Sequence, residues 1–501
     1  MKKIISILIL LCMCLTSLIA CGNTGEGEVT TPPAGDATTS EEAPTGPSIP
    51  TGDLTQGDLG GETIKFLAWE DAPNLEFEFE ESNIDQATIN DAILQRNINV
   101  ETRLNCKLAF TYAKGNYDNK NIFVTKAESF ANGDEGEFVD ILAAYSMTTA
   151  LCSTKGLCAN LMNYEKKDGG LNFDNPWWPQ TLVKEAMFDD MLFVCSGDIS
   201  TNLLWLMQTM YFNKNLLIDF YGENSPKDLY KLAEDGKWTM DKFFEYCSDV
   251  HVDLNTSGKS DDGDQFGYAI DWNGYYDDFY VAAGFKMCMR NSDGDLVISD
   301  EWGGEREDTF AKTLVEFTFT DDAYLGSGVT TMFTSGKVLF TNNRAKFAKT
   351  SRESAEIEYG ILPMPKLDET QENYSTNIGF GYTLYSIAGT SNQPENAALV
   401  IESMAAQSYT EITPVLFEDA LKVRYSPEID DAMMFDILRD SLAFNAGMIY
   451  CTPLENYPWS VWRATISGGS TSYATKIKVG RTKAQTLLDT LIADLKKAGE
   501  Q

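Results

Sequence analysis

Thr63-Ile64-Lys65-Phe66-Leu67-Ala68-Trp69 reads as a β-strand, and the elements downstream of it decide the fold. Its apolar and aromatic residues suit a strand buried within a sheet. From about Thr88 to Asn105, Ile89, Ala92, Ile93, Arg96 and Val100 recur at helical spacing, and Lys107 to Tyr112 is strand-like again. Asp140-Ile141-Leu142-Ala143-Ala144 predicts a third strand running into a helix toward Leu161. Strand, helix, strand, helix is the pattern of a parallel sheet with helical crossovers, so the chain is expected to be an α/β protein.

Downstream, Met191 to Cys195 and Gln208 to Phe212 are strand candidates. Thr239 reads as an N-cap, with Trp238 and Phe243 placed as a hydrophobic staple, opening a helix through Val250. Further strands are expected at Lys337 to Phe340, Glu358 to Leu362 and Tyr382 to Ile387, and helices from Pro394 and over about Thr482 to Leu495. Asn291-Ser292-Asp293-Gly294-Asp295 reads as a hairpin turn.

Upstream, Lys2 and Lys3 precede an apolar run, Ile4 to Ala20, that ends Leu18-Ile19-Ala20-Cys21. Residues 1–20 therefore read as a signal peptide, and the sequence at its end resembles the bacterial lipoprotein processing box, which implies lipidation at Cys21. A short membrane-spanning anchor is the alternative, at the lower limit of length. Residues 21–62 are rich in Gly, Pro and Thr with no aromatic residue, and read as a disordered tether. The expected location is the extracytoplasmic face of the cell membrane, held there by the lipid only.

The 501 residues carry 75 Asp and Glu against 39 Lys and Arg, a net charge of −36, with one histidine. So acidic a chain lacks the basic face that nucleic acid requires. The lone His251 leaves no multi-histidine zinc site and reads as a surface residue. Of ten cysteines, two belong to the leader and one is Cys21, leaving an odd seven. These are expected as small core residues, with Cys152 and Cys158 close enough in sequence to suspect a pair.

Several segments in order resemble one family. Tyr211-Phe212-Asn213-Lys214-Asn215-Leu216 and Lys237-Trp238-Thr239-Met240-Asp241-Lys242-Phe243 are followed by Ser335-Gly336-Lys337-Val338-Leu339-Phe340. Then come Tyr359-Gly360-Ile361-Leu362-Pro363-Met364-Pro365, Gly379-Phe380-Gly381 and Trp459-Ser460-Val461-Trp462-Arg463-Ala464. In this order they resemble the extracellular solute-binding proteins of bacterial ABC importers, in the family that includes maltose-binding protein, over about Thr63 to Ala498. The resemblance implies a periplasmic-binding-protein-like type II fold, with two α/β lobes joined by crossover hinge segments around a ligand cleft. Carried onto this chain it assigns 63–198 with 328–378 to lobe 1 and 199–327 with 379–501 to lobe 2. Crossovers are then expected near Ser196 to Asn202, Val329 and Ile378.

Neutral sugars are held by aromatic faces together with carboxylates, amides and arginines. Candidate ligand contacts are Trp69, Glu70 and Asp71 just past the first strand, and Tyr145 and Ser146 after the third. Asp198 and Asn202 lie in the first expected crossover, Trp272 in the loop Asp271-Trp272-Asn273-Gly274-Tyr275, and Asn343 and Arg344 beyond the Gly336 strand. Trp459 stands where the resemblance places a sugar-stacking tryptophan. Pro176-Trp177-Trp178 reads as packing or cleft rim. Ala144, Met147 and Thr148 occupy positions that carry Trp, Asp and Arg in maltose-binding protein, so a saccharide other than maltose is expected.

A separate stretch, Asp253 to Asp264, sets Asp253, Asn255, Ser257, Lys259, Asp261 and Asp264 at the spacing of a calcium loop, with Gly258 at the sharp turn. Serine at the fifth position and aspartate at the twelfth weaken that pattern, so a solvated acidic loop is the favoured reading and calcium the alternative. The Gly258-Lys259-Ser260 tail lacks the earlier glycine of a phosphate loop, so no nucleotide is expected there. No cofactor is required.

The sequence thus points to a monomeric, lipid-anchored binding protein rather than an enzyme, taking a carbohydrate and passing it to permease subunits and, through them, an ATPase. Two alternatives stay open at this level. One is the same fold binding a peptide, polyamine or other small solute; the other is a surface glycoside hydrolase or adhesion lipoprotein.

Overall fold

A computed structural model describes residues 57–500, apart from 79, 82–86, 167–168, 273–274 and 427. The expected leader, Cys21 and the tether up to residue 56 lie outside the described residues. Eleven strands are described. The first five are β1 Thr63–Trp69, β2 Lys107–Ala113, β3 Ile141–Tyr145, β4 Gln208–Asn213 and β5 Phe266–Asp271. The rest are β6 Cys288–Arg290, β7 Leu296–Ile298, β8 Ala323–Gly326, β9 Val338–Arg344, β10 Tyr359–Leu362 and β11 Thr383–Ile387.

They form two main sheets, in the orders β11-β3-β1-β2 and β10-β4-β9-β5-β8, with β6 and β7 as a separate hairpin. In the first sheet β1 runs parallel to β2 and β3, and β11 is antiparallel to β3. The crossover from β1 to β2 is the helix Ala87–Leu104, whose buried face carries Ile89, Ile93, Val100 and Leu104. Arg96 sits on the same face, fully buried, and its guanidinium donates to the carbonyls of Glu76 and Phe77. A charge at a core position is tolerated because those carbonyls replace water.

Most elements fall within a few residues of the sequence expectation. Thr239 precedes the helix Met240–Cys247, and Trp238 meets Phe243 edge-on, with ring centroids 6.3 Å apart. Met191 to Cys195 differs: it forms isolated bridges, not a strand. The last helix is longer than expected, Tyr473–Gly499. All seven described cysteines are free and buried, so Cys152 and Cys158 are not bonded to each other. No helix among the described residues is long and apolar enough to cross a membrane.

The sheets divide the chain differently from the expected lobes. β9 and β10, expected in lobe 1 within 328–378, belong to the second sheet, where both pair with β4. β11, expected in lobe 2 within 379–501, pairs with β3 in the first sheet. No crossover occurs at Val329, because β8 and β9 on either side of it share one sheet. The chain passes to the second sheet between Cys195 and Gln208 and returns between Asn377 and Thr383. These two connections lie side by side, bridged at Cys195 with Tyr385 and at Met207 with Ile378. Gln208 N donates to Asn377 O at 2.9 Å and Gly379 N to Leu206 O at 2.8 Å. The two sheets are therefore joined by a paired strap.

Candidate functional site

A cavity of about 180 Å³ opens beside this strap, between the two sheets. Tyr145 ends β3, and Tyr117 lies beyond β2, both on the first sheet's side; Phe380 comes from the returning connection. From the second sheet, Gln208 opens β4 and Arg344 ends β9, directly opposite each other in the antiparallel register. The helix Tyr457–Ile466 adds Trp459 and Arg463, four residues apart and so on one face.

The walls are aromatic. Trp459 and Phe380 have ring centroids 6.2 Å apart, and the Arg463 guanidinium lies 4.7 Å over the Trp459 ring. Tyr275 receives Arg344 at 5.2 Å and Arg463 at 5.8 Å. Such stacking holds the guanidinium planes in place.

The polar groups divide into paired and unpaired. Arg463 Nε donates to Asp277 at 2.5 Å. Burial opposes the Arg463 charge, but Asp277 outweighs it and holds the guanidinium pKa above the ordinary arginine value. Asp278 lies behind, accepting from Asn342 at 2.7 Å and Asn377 at 2.8 Å. Burial, and then the Asp277 charge, push its carboxyl well above the usual range. Gln208 is the contrast: it is fully buried, lines the cavity, and neither its Nε2 nor its Oε1 has a hydrogen-bond partner among the described residues. Arg344 Nε is equally unpartnered. A buried amide without partners costs roughly 1–3 kcal/mol, so it marks either strain or a place for a guest.

Of the residues singled out from sequence, Tyr145, Arg344 and Trp459 meet in this cavity. Others do not reach it. Trp69 is 1% exposed and its indole donates to Thr383 at 2.9 Å, so no ring face is left for a ligand. Glu70 is exposed and outside the cavity. Asp71 acts indirectly: its carboxylate accepts from Gly115 N, Asn116 N and Asn119 Nδ2, fixing the loop that carries Tyr117. Ser146 is buried and donates to Phe380 O at 2.7 Å. Asp198 faces away, accepting from Thr413 and Arg439. Asn202 is buried between Asn74 and Glu76. Trp272 is 61% exposed, and Asn343 Oδ1 accepts from Arg344 N. Trp177 and Trp178 are packing residues whose indoles both donate to the buried Glu402.

Gln208, Tyr117, Phe380 and Arg463 were not singled out as contacts. For Gln208 the available signal was a polar residue opening an apolar strand. Phe380 and Arg463 lie in segments that carried the family resemblance.

In the acidic loop, Asp253 accepts from Ser257 N and Gly258 N, Asp261 from Gly263 N and Asn255, and the buried Asp264 from Leu254 N and Asp261 N. Lys259 N donates to Ser257 Oγ. The side chains thus close the loop on its own backbone, and no three acidic, histidine or cysteine groups among the described residues gather as metal ligands. His251 is half-buried, not fully at the surface, against Phe266 and Gln265 O.

No protein-family model and no curated protein matches the chain. Solved structures do. The galacto-N-biose/lacto-N-biose I-binding protein of the ABC transporter from Bifidobacterium longum, in complex with lacto-N-biose, superposes with a TM-score of 0.53 at 12% identity, covering 89% of this chain and 99% of that one. M. tuberculosis UspC gives 0.51 at 14% identity, covering 85% and 100%. The cyclic α-maltosyl-1,6-maltose-binding protein from Arthrobacter globiformis gives 0.51 at 13% identity, covering 88% and 100%. The chain therefore has the type II periplasmic-binding-protein-like fold expected from the sequence.

Proposed function

We propose that this protein is the extracytoplasmic receptor of an ABC importer, anchored through a lipid at Cys21, that captures a saccharide between its two sheets. It hands the saccharide to permease subunits, whose ATPase partner supplies the energy. One observation carries the reading. A fully buried, unpartnered Gln208 faces a cavity walled by Trp459, Phe380, Tyr145 and Tyr117, at the strap joining the sheets. Aromatic faces with an amide between them form a surface for sugar rings and hydroxyls. Two of the solved structures that share the fold are of saccharide-binding proteins and support the same class.

The cavity is smaller than the roughly 300–1,000 Å³ of pockets for sizeable ligands. Contacts to residues outside the cavity lining also join the two sides: Asn456 donates to the Tyr117 hydroxyl at 3.4 Å, and Lys346 donates to Pro73 O and Asn74 Oδ1. A ligand larger than one sugar ring needs these contacts to open, with rotation about the paired strap. Closure around the ligand then forms the surface that a permease recognises.

Calorimetry and thermal denaturation with saccharides, peptides and polyamines test the reading. Saturable stabilisation by a saccharide is expected, about 2.7 kcal/mol at a hundredfold excess over Kd. Stabilisation by peptides or polyamines alone, or product release from oligosaccharides, overturns it.

A further inference from the structure

The overall charge of −36 gives no hint of the sign of charge inside the cleft, which is the opposite. Two guanidiniums, Arg344 and Arg463, line the cavity against one carboxylate, Asp277. Asp277 is already committed to Arg463 Nε at 2.5 Å. Arg344 has no ion-pair partner among the described residues; its Nε is buried and unbonded, and its flat face is fixed over Tyr275 at 5.2 Å. Lys120 lies 4.2 Å over the ring of Tyr117, itself a lining residue. A cationic ligand would meet Arg344 with no free carboxylate to balance it.

We propose that the ligand is a sugar acid, a saccharide bearing a carboxylate, with that carboxylate on Arg344 and Gln208 Nε2. This rests on the saccharide reading above and names its chemical class. Arginine holds carboxylates by paired N–H donors, and Gln208 stands directly opposite Arg344 in the β4/β9 register, where its amide N–H₂ adds a third. The Gln208 Oε1 is unpartnered as well and needs a donor. A carboxylate offers none, whereas a hydroxyl on the same ring does. Gln208 thus calls for acceptor and donor from one ligand, which a sugar acid supplies and acetate does not. Gly379 makes room for the arrangement: a Cβ there would lie 3.1 Å from Arg344 Nε and 3.5 Å from Gln208 Nε2.

The test is calorimetry on the full chain with glucuronate and galacturonate, their neutral parents glucose and galactose, short uronate and neutral oligosaccharides, and acetate and inorganic phosphate. Uronates are expected to bind about 10- to 100-fold more tightly than their neutral counterparts. Arg344→Gln should bring that ratio to about one, and the near-isosteric Gln208→Glu should reverse it, with unchanged melting temperatures showing that both variants fold. Neutral sugars binding as tightly as uronates, with the ratio unmoved by Arg344→Gln, overturns the proposal while leaving the saccharide reading intact. Acetate or phosphate matching the uronates overturns the sugar-acid assignment. No response to any saccharide of either charge overturns the saccharide reading itself.

Discussion

Gln208 and Arg344 stand opposite each other across the antiparallel pair β4 and β9, and the Gln208 amide and Arg344 Nε have no hydrogen-bond partner among the described residues. Directly opposed side chains share one face of a sheet. Two donors and an acceptor are thus presented together at the point where the chain crosses between sheets. An arrangement that costs stability in the empty protein is explained by what it does for the filled one.

Gln208→Leu separates the two effects. Removing an unsatisfied buried amide for an apolar group of similar size is near neutral or stabilising, by up to about 1–2 kcal/mol. The unliganded variant should melt at or above the wild-type temperature while its ligand affinity falls at least tenfold. Parallel thermal denaturation and calorimetry measure both.

Trp459 packs against Phe380 and against the Arg463 guanidinium. Trp459→Ala removes the largest aromatic face of the cavity and one of the two rings against the Arg463 guanidinium, which Asp277 still holds. Affinity should fall about tenfold or more, beyond what Trp459→Phe loses. Equal losses in the two variants would show that the ring's breadth is not used.

The fold was legible because periodicity is local: Ile89, Ile93 and Val100 declare a helix without knowledge of what they pack on. Sheet membership was not, since nothing within Val338–Arg344 says that it pairs with β4 and β5 rather than β1. Trp69 and Asp71 show the same limit at the site. The end of a strand could be located, yet the indole's partner Thr383 lies more than three hundred residues away. Gln208 was hidden for a related reason, because an unpaired amide becomes visible only when every neighbour is placed.

Asp71 acts on the cleft through the 115–119 loop, accepting from two backbone N–H groups and from Asn119. Asp71→Ala should loosen that loop and Tyr117 with it. Ligand affinity is expected to drop about three- to tenfold and global stability by about 1–2 kcal/mol. Faster proteolytic nicking near Lys114 or Lys120, suppressed by ligand, would locate the change.

In the Asp253 to Asp264 loop, both carboxylate oxygens of Asp253 and of Asp264 accept backbone N–H groups of the loop itself. Calcium would have to displace those bonds. Chelator or added calcium should therefore leave the melting temperature within error of the untreated protein, and a calcium-dependent rise would show that the loop refolds around the ion.

Glu307 gives the stability a pH dependence whose sign is set by burial. Its carboxylate lies in the core, accepting from Gly303 N at 2.7 Å and from the Tyr280 and Tyr473 hydroxyls at 3.1 Å each. Burial pushes its pKa from 4.5 up to about 7, only partly offset by those hydrogen bonds. Between these values the folded protein keeps a proton that the unfolded chain has released. Stability on this account falls as pH rises through that window and levels off above about 7, a change of about 3 kcal/mol. Glu307→Gln retains an acceptor for Gly303 and cannot ionise. Other buried carboxyls, Asp278 and Glu402 among them, are shifted the same way, so the informative quantity is the wild-type minus variant difference in unfolding free energy from pH 5 to pH 8. That difference should shift toward the variant as pH rises; a constant difference would mean that Glu307 is already ionised in the fold.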